Sequence, residues 1–148
     1  MSLRKQFSTF TVDGLFFGVE VEKVQEVIRH QEMTRVPLAS QVVRGLINLR
    51  GQIVTGLDLR RRLELNERDA KQLPMNVVVR TEDGAVSLLV DEIGDVLEVE
   101  EESFEPPPET ISAKARELIR GVYKLQDRLM HILDTEKAVS LVGDQKSR

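Results

Sequence analysis

An internal repeat constrains this chain more than any other feature. Shifted by 76 positions, Val43–Asp58 (VRGLINLRGQIVTGLD) lies over Ile119–Asp134 (IRGVYKLQDRLMHILD). Arg44, Gly45, Leu49, Leu57 and Asp58 then meet identical residues at Arg120, Gly121, Leu125, Leu133 and Asp134, while Val43, Leu46, Ile53 and Val54 meet other apolar residues. Chance gives about one identity in such a window. A second stretch repeats at a shift of 69, with Val21, Glu22, Val24, Glu26, Val27 and Ile28 falling on Val90, Asp91, Ile93, Asp95, Val96 and Leu97. The growing shift implies an insertion in the second copy. Glu105–Ala113, with Pro106-Pro107-Pro108, is its place, because prolines cannot donate to a strand ladder and make a stiff surface connection.

Within each copy, apolar runs alternate with turn chemistry. Gln6–Val12 is rich in β-formers, Asp13-Gly14 is a tight-turn pair and Leu15–Val21 resumes as a strand; Asn76–Thr81, Asp83-Gly84 and Val86–Val90 repeat the pattern. In Val43–Asp58 the Arg50-Gly51 corner between two short apolar runs reads as a hairpin. Asp58 and Asp134 each open a short amphipathic stretch, as helix N-caps do, and Ser112 caps a further short helix. Polar Asn66–Leu73, ending at Pro74, links the copies.

Two hairpin-rich units of about five short strands, each with a small helix, predict a mainly β fold of two packed β-barrels. Closure removes the exposed sheet edges through which such small units would otherwise aggregate. The first barrel is expected over residues 6–73 and the second over 75–142, with a frayed tail at 143–148. A unit of about 70 residues buries only about 60% of its unfolded surface, so the two should pack on each other as one domain over 1–148.

The absence of cysteine excludes disulfides and thiolate catalysis and fits a reducing cytoplasm. No apolar run approaches a membrane span, and MSLRKQFSTF lacks the apolar core of a signal peptide, so a cytoplasmic protein is expected. A net charge of −4 argues against nucleic acid as a partner. The distribution says more than the sum: residues 1–74 carry +3 and residues 75–148 carry −7. A basic end and an acidic end suit head-to-tail association with a like-folded neighbour, although each is also what an ordinary solvated surface looks like.

Candidates for chemistry are few. His30 and His131 stand far apart with no clustered partners, which gives no zinc site, and His131 on a predicted strand reads as structural. There is no GxxxxGK[ST] phosphate loop and no GxSxG elbow. Asp91-Glu92 are adjacent on a strand and so point to opposite faces, and the acidic run Glu98–Glu105 lacks the spacing and glycine of a calcium loop. No catalytic residue, cofactor site or metal site is expected, and the chain does not read as an enzyme.

What remains suits gripping other proteins. Arg50 on the hairpin tip offers a planar fork of donors, and arginine is enriched at interface hot spots; the plain alternative is an exposed turn residue. Val24, Val27, Ile93 and Val96 are apolar in charged segments, so they either belong to a core or line a groove between barrels that could seat an amphipathic helix. Arg60, Arg61 and Arg62 read as the solvated face of the capped helix.

The succession EVEKVQEVI, TRVP, VRGLINLRGQIVTGLDLRRRL, VDEIGDVLEVE and GVYKLQDRLMHILDTEKAV resembles the CheW family of bacterial chemotaxis coupling proteins, over nearly the whole chain from Gln6 to Leu141. The resemblance implies two five-stranded SH3-like barrels, no enzymatic activity, and two partners: the helical cytoplasmic tip of a chemoreceptor and the regulatory domain of a CheA-type histidine kinase. It also implies array assembly, with rings that alternate coupling protein and kinase domain. Carried over by position, the kinase-facing surface matches Glu26, Gly45 and Arg50, and the receptor tip would lie against Val24, Val27, Ile93 and Val96. Thr55-Gly56 departs from the family, which commonly has proline and a β-branched residue there; glycine is expected to loosen that strand. Two rivals are an adaptor of a non-flagellar array, controlling twitching, gliding or second-messenger output, and a small OB-like barrel that binds oligonucleotides. The latter would need stacked aromatics and basic grooves, which a chain with no Trp and one Tyr lacks.

Overall fold

A computed structural model describes residues 3–109 and 111–146. The first copy forms β1 (Arg4–Val12), β2 (Leu15–Glu20), a 3-10 turn (Val21–Lys23), β3 (Val24–Ile28), β4 (Val43–Leu49), β5 (Gln52–Asp58) and α1 (Leu59–Arg62). The second forms β6 (Met75–Thr81), β7 (Gly84–Val90), β8 (Glu92–Glu100), a 3-10 turn (Glu101–Ser103), β9 (Phe104–Glu105), α2 (Ala113–Glu117), β10 (Ile119–Lys124), β11 (Leu129–Leu133) and α3 (Thr135–Lys146). The expected caps are in place. The Asp58, Ser112 and Asp134 side chains accept from the amides of Arg60 (3.0 Å), Ala115 (3.1 Å) and Lys137 (3.1 Å).

The strands do not sort into barrels by sequence halves. One sheet runs β8-β1-β2-β11-β10-β9 and the other β3-β6-β7-β5-β4. The terminal barrel therefore combines the first copy's hairpin β1–β2 with the second copy's β8–β11, and the central barrel combines β3–β5 with the second copy's hairpin β6–β7. Residues 6–73 and 75–142 exchange their leading hairpins, which corrects the expected boundaries. The connections explain it. Only the three-residue turn Val21–Lys23 separates β2 from β3, and only Asp91 separates β7 from β8, so the chain runs straight from one barrel into the other. Exchange also supplies parallel partners without a local crossover: Phe17 of β2 beside His131 of β11, and Val86 of β7 beside Thr55 of β5.

The repeat persists to the level of single hydrogen bonds. Val24 pairs with Val79 just as Ile93 pairs with Phe10. Register shifts fall between Val43 and Gly45 and between Ile119 and Gly121. Asp58 N donates to Val42 O at 2.7 Å, and Asp134 N to Leu118 O at 2.8 Å. Each barrel is closed by a bent segment. In the terminal barrel β8 turns into β9, which pairs with β10; in the central barrel Thr34 exchanges two backbone hydrogen bonds with Leu46 of β4, at 2.9 and 2.8 Å.

Burial follows the same plan. Phe7, Phe16, Tyr123, Met130 and Ile132 fill the terminal barrel, and Ile47, Leu49, Val54 and Val78 the central one. A larger cluster between them takes Phe10, Phe17, Leu57, Val79, Leu88 and Leu133 from both. At about 1.5–3 kcal/mol per buried large apolar side chain, this shared layer is what joins two units too small to stand alone.

Three local expectations change. The β6–β7 turn is Glu82-Asp83, with Gly84 already in the strand at φ 111°, whereas Asp13 and Gly14 form the β1–β2 turn at φ 49° and 79°. β5 is not loosened: Thr55 and Gly56 pair with Leu46 and Gly45 on one side and with Val86 and Ser87 on the other. Of the expected tail, Gly143–Lys146 falls within α3, and Ser147 and Arg148 lie outside the described residues.

Candidate protein-binding surfaces

The β4–β5 hairpin turns in two residues, Arg50 and Gly51, both at positive φ (50° and 89°), as a turn matched to strand twist requires. Asn48 Oδ1 accepts the Gly51 amide at 3.0 Å and holds the corner. The Arg50 side chain is thereby pushed out, 72% exposed, and its guanidinium pairs with the Glu26 carboxylate of β3. Sequence reasoning named both residues but not their contact, which joins positions 24 apart. The hydrogen bond from Arg50 lowers the Glu26 pKa from its ordinary 4.5, against burial, with Gln25 assisting at 3.4 Å.

Gly45 lies below this surface rather than on it. It is buried, and a Cβ there would sit 2.6 Å from Thr34 O and 3.0 Å from Met33 Cβ. Its requirement is close passage of the closing segment, so it shapes the hairpin and offers no side chain to a partner. Ile53, one of the apolar residues of the hairpin, is 60% exposed, while neighbouring Val54 points in. Ile53 pairs with Asn48, which puts an apolar contact beside the charged tip. The terminal barrel lacks this arrangement: the counterparts of Glu26 and Arg50 are Asp95 and Gln126.

The four apolar candidates divide into two pairs. Val24 and Ile93 are half-buried and pack against the shared core. Val27 and Val96, on β3 and β8, are 37% and 56% exposed. Repeat-related positions thus share a role, one pair inward from each barrel and one pair outward.

The arginine run is not a solvated face. Arg60 is buried against Asp91; Arg61 reaches Glu67 (3.1 Å) and Gln41 O (2.8 Å); Arg62 donates to Ala138 O and Lys137 O, both at 2.9 Å. His131 is buried with Nδ1 2.8 Å from Phe16 O and its ring 5.5 Å from Phe17. Among the described residues no three His, Asp or Glu side chains converge as a metal site would need, and no helix is long and apolar enough to cross a membrane.

Twinned SH3-like barrels with exchanged hairpins, and a charge-paired corner on only one of them, define a protein-binding module of the double-barrel adaptor class. Residues 6–142 match the CheW-like domain, and the chain belongs to that family. It is 33% identical over 142 residues to the chemotaxis protein CheW of Bacillus subtilis, covering 92% of this chain and 91% of that one. The chemotaxis protein CheW of Klebsiella aerogenes is 29% identical over 136 residues, with 92% and 82% covered. The crystal structure of the scaffolding protein CheW from Thermoanaerobacter tengcongensis superposes with a TM-score of 0.79 at 27% identity, over 88% of this chain and 89% of that one.

Proposed function

We propose that this chain is a chemotaxis adaptor that couples chemoreceptors to a CheA-type histidine kinase and supports assembly of the signalling array, working in the cytoplasm at receptor clusters by bridging rather than by catalysis. The observation that supports the residue-level reading is the Arg50–Glu26 pair, an exposed guanidinium held by a carboxylate on a hairpin tip, where a planar fork of donors suits a protein contact. Arg50, Glu26 and Ile53 form the kinase-facing corner, with Gly45 shaping the hairpin beneath them. Val27 and Val96 meet the receptor's helical tip, and Val24 and Ile93 anchor their strands to the core. The receptor's conformational state biases how the adaptor holds the kinase regulatory domain, and that sets autophosphorylation.

Arg50→Glu places two carboxylates at the corner and should abolish binding to the kinase regulatory domain in calorimetry while circular dichroism is unchanged. Unaltered affinity would make the tip a mere turn. In reconstituted arrays, receptor control of kinase activity should depend on adding this protein; equal control without it would remove the bridging role.

A further inference from the structure

Neither proposed surface uses the far end of the β4–β5 hairpin. Val43, where β4 begins, stands about 20 Å from the tip at Leu49, at about 3.3 Å per strand residue. There the segment between β3 and β4 bends around an open hollow of about 820 Å³, a size that takes a ligand or the side chains of a peptide. Two kinds of side chain line it: Arg35, Arg44 and Arg61, and the apolar Val36, Leu38 and Val43. Among the described residues no carboxylate does. Arg44 and Arg61 share the buried Asp58 carboxylate at 3.1 and 3.7 Å, and Arg61 also holds Glu67 at 3.1 Å. These contacts fix two guanidinium groups in place. Arg35 is exposed, and among the described residues no carboxylate pairs with it, so the hollow has a positive excess.

The backbone of this segment is strained at an apolar residue. The Ala39 amide donates to Val36 O at 3.3 Å, which closes a turn with Pro37 second and Leu38 third. A positive φ at the third position of a proline-led turn is ordinarily given to glycine or asparagine. Here a leucine takes it, at φ 65°, and its side chain is fully exposed. Within this chain the strain is offset by no burial. The Val43 amide donates to Ser40 O at 3.0 Å and the Val42 amide to Ser40 Oγ at 3.2 Å, so the segment holds its shape by its own bonds. It thus presents a leucine and a set of arginine forks together, ready for a ligand that is apolar and negative at once. We propose that residues 35–44, with Arg61, dock an acidic peptide segment of a partner protein. An apolar side chain of that segment packs on Val36 and Leu38, and its flanking carboxylates accept from Arg35 and Arg44. The site is independent of the kinase-facing corner.

The probe is an end-blocked hexapeptide with a central pair of leucines between pairs of glutamates, titrated into the full isotope-labelled chain and followed by NMR. Controls are the same peptide with serines for the leucines, the same peptide with lysines for the glutamates, and inorganic phosphate. Saturable shifts of the Val36, Leu38 and Gln41 amides are expected with the glutamate–leucine peptide alone. Arg35→Glu should weaken that binding at least about tenfold, the factor carried by one lost charge-assisted hydrogen bond. Leu38→Asn should weaken it about threefold or more while unfolding in urea no earlier than the parent, because asparagine accepts a positive φ. Both variants should bind the kinase regulatory domain as the parent does. No saturable shift with the glutamate–leucine peptide would overturn the proposal, and so would an Arg35→Glu variant with the parent's affinity. Equal binding of the serine peptide or of phosphate would reduce the hollow to an unselective anion patch and overturn it too.

Discussion

Replacing Gly45 by alanine tests whether this position acts through the fold or through contact with a partner. The added Cβ would sit 2.6 Å from Thr34 O, where ordinary contact begins at 3.4 Å, so the closing segment must retreat by about 0.8 Å. The Leu46 amide donates to that same oxygen at 2.8 Å, and the Thr34 amide returns a bond to Leu46 O at 2.9 Å. A retreat of that size stretches both beyond hydrogen-bonding distance. Two lost bonds cost about 1–3 kcal/mol and overpacking about 1–3 more, giving a destabilisation of about 2–6 kcal/mol. Gly51→Ala is the control. Nothing lies within 4 Å of its Cβ, and only the left-handed backbone at φ 89° opposes alanine, at roughly 1–2 kcal/mol. Urea unfolding of both variants decides the matter: a Gly45→Ala variant no less stable than Gly51→Ala would refute the reasoning. Kinase-domain affinity, measured at a urea-free temperature where Gly45→Ala is still folded, should then fall through the displaced hairpin while Arg50 remains exposed.

Further outcomes follow from the same geometry. The Glu26 carboxyl, lowered mainly by the Arg50 hydrogen bond, should titrate by NMR below 4.5 and return toward that value in Arg50→Ala. Because the folded pKa is depressed, the stabilisation is fully present above 4.5 and disappears as pH falls through the lowered value; a midpoint at or above 4.5 would contradict the pairing. Val27→Asp and Val96→Asp should weaken binding of the receptor tip about tenfold with stability within about 0.5 kcal/mol of the parent. Val24→Asp and Ile93→Asp should instead lower stability in urea, since both side chains pack on the shared core; equal unfolding midpoints across the four would erase the inward–outward division.

Short-range chemistry made much of the molecule legible. The caps at Asp58, Ser112 and Asp134 and the Arg50-Gly51 corner all depend on residues a few positions apart, and each stands where its pattern placed it. The pairing of strands was not legible, because a repeat shows that two hairpins are alike without showing which copy each one joins. The same limit applies to the site. Glu26 and Arg50 were both marked out, yet their contact depends on how β3 approaches the β4–β5 tip, and no spacing encodes that. Which of Ile53 and Val54 faces inward was not legible either, because two adjacent apolar residues on a strand do not say which face is the core; Val54 takes the buried place. The arginine run misled because charge predicts solvent, whereas here the linker folds back and gives Arg60 and Arg61 carbonyls and carboxylates to hold.

The double crossing of the chain leaves no single cut that frees both barrels intact. Cutting at Pro74 frees one fragment with a hairpin that has lost its host and another with a host that has lost its hairpin, so the pieces should assemble only when expressed together, as a split reporter does. An autonomous terminal barrel would need residues 4–20 spliced directly to 92–146, and the central one is already the uninterrupted stretch 24–90.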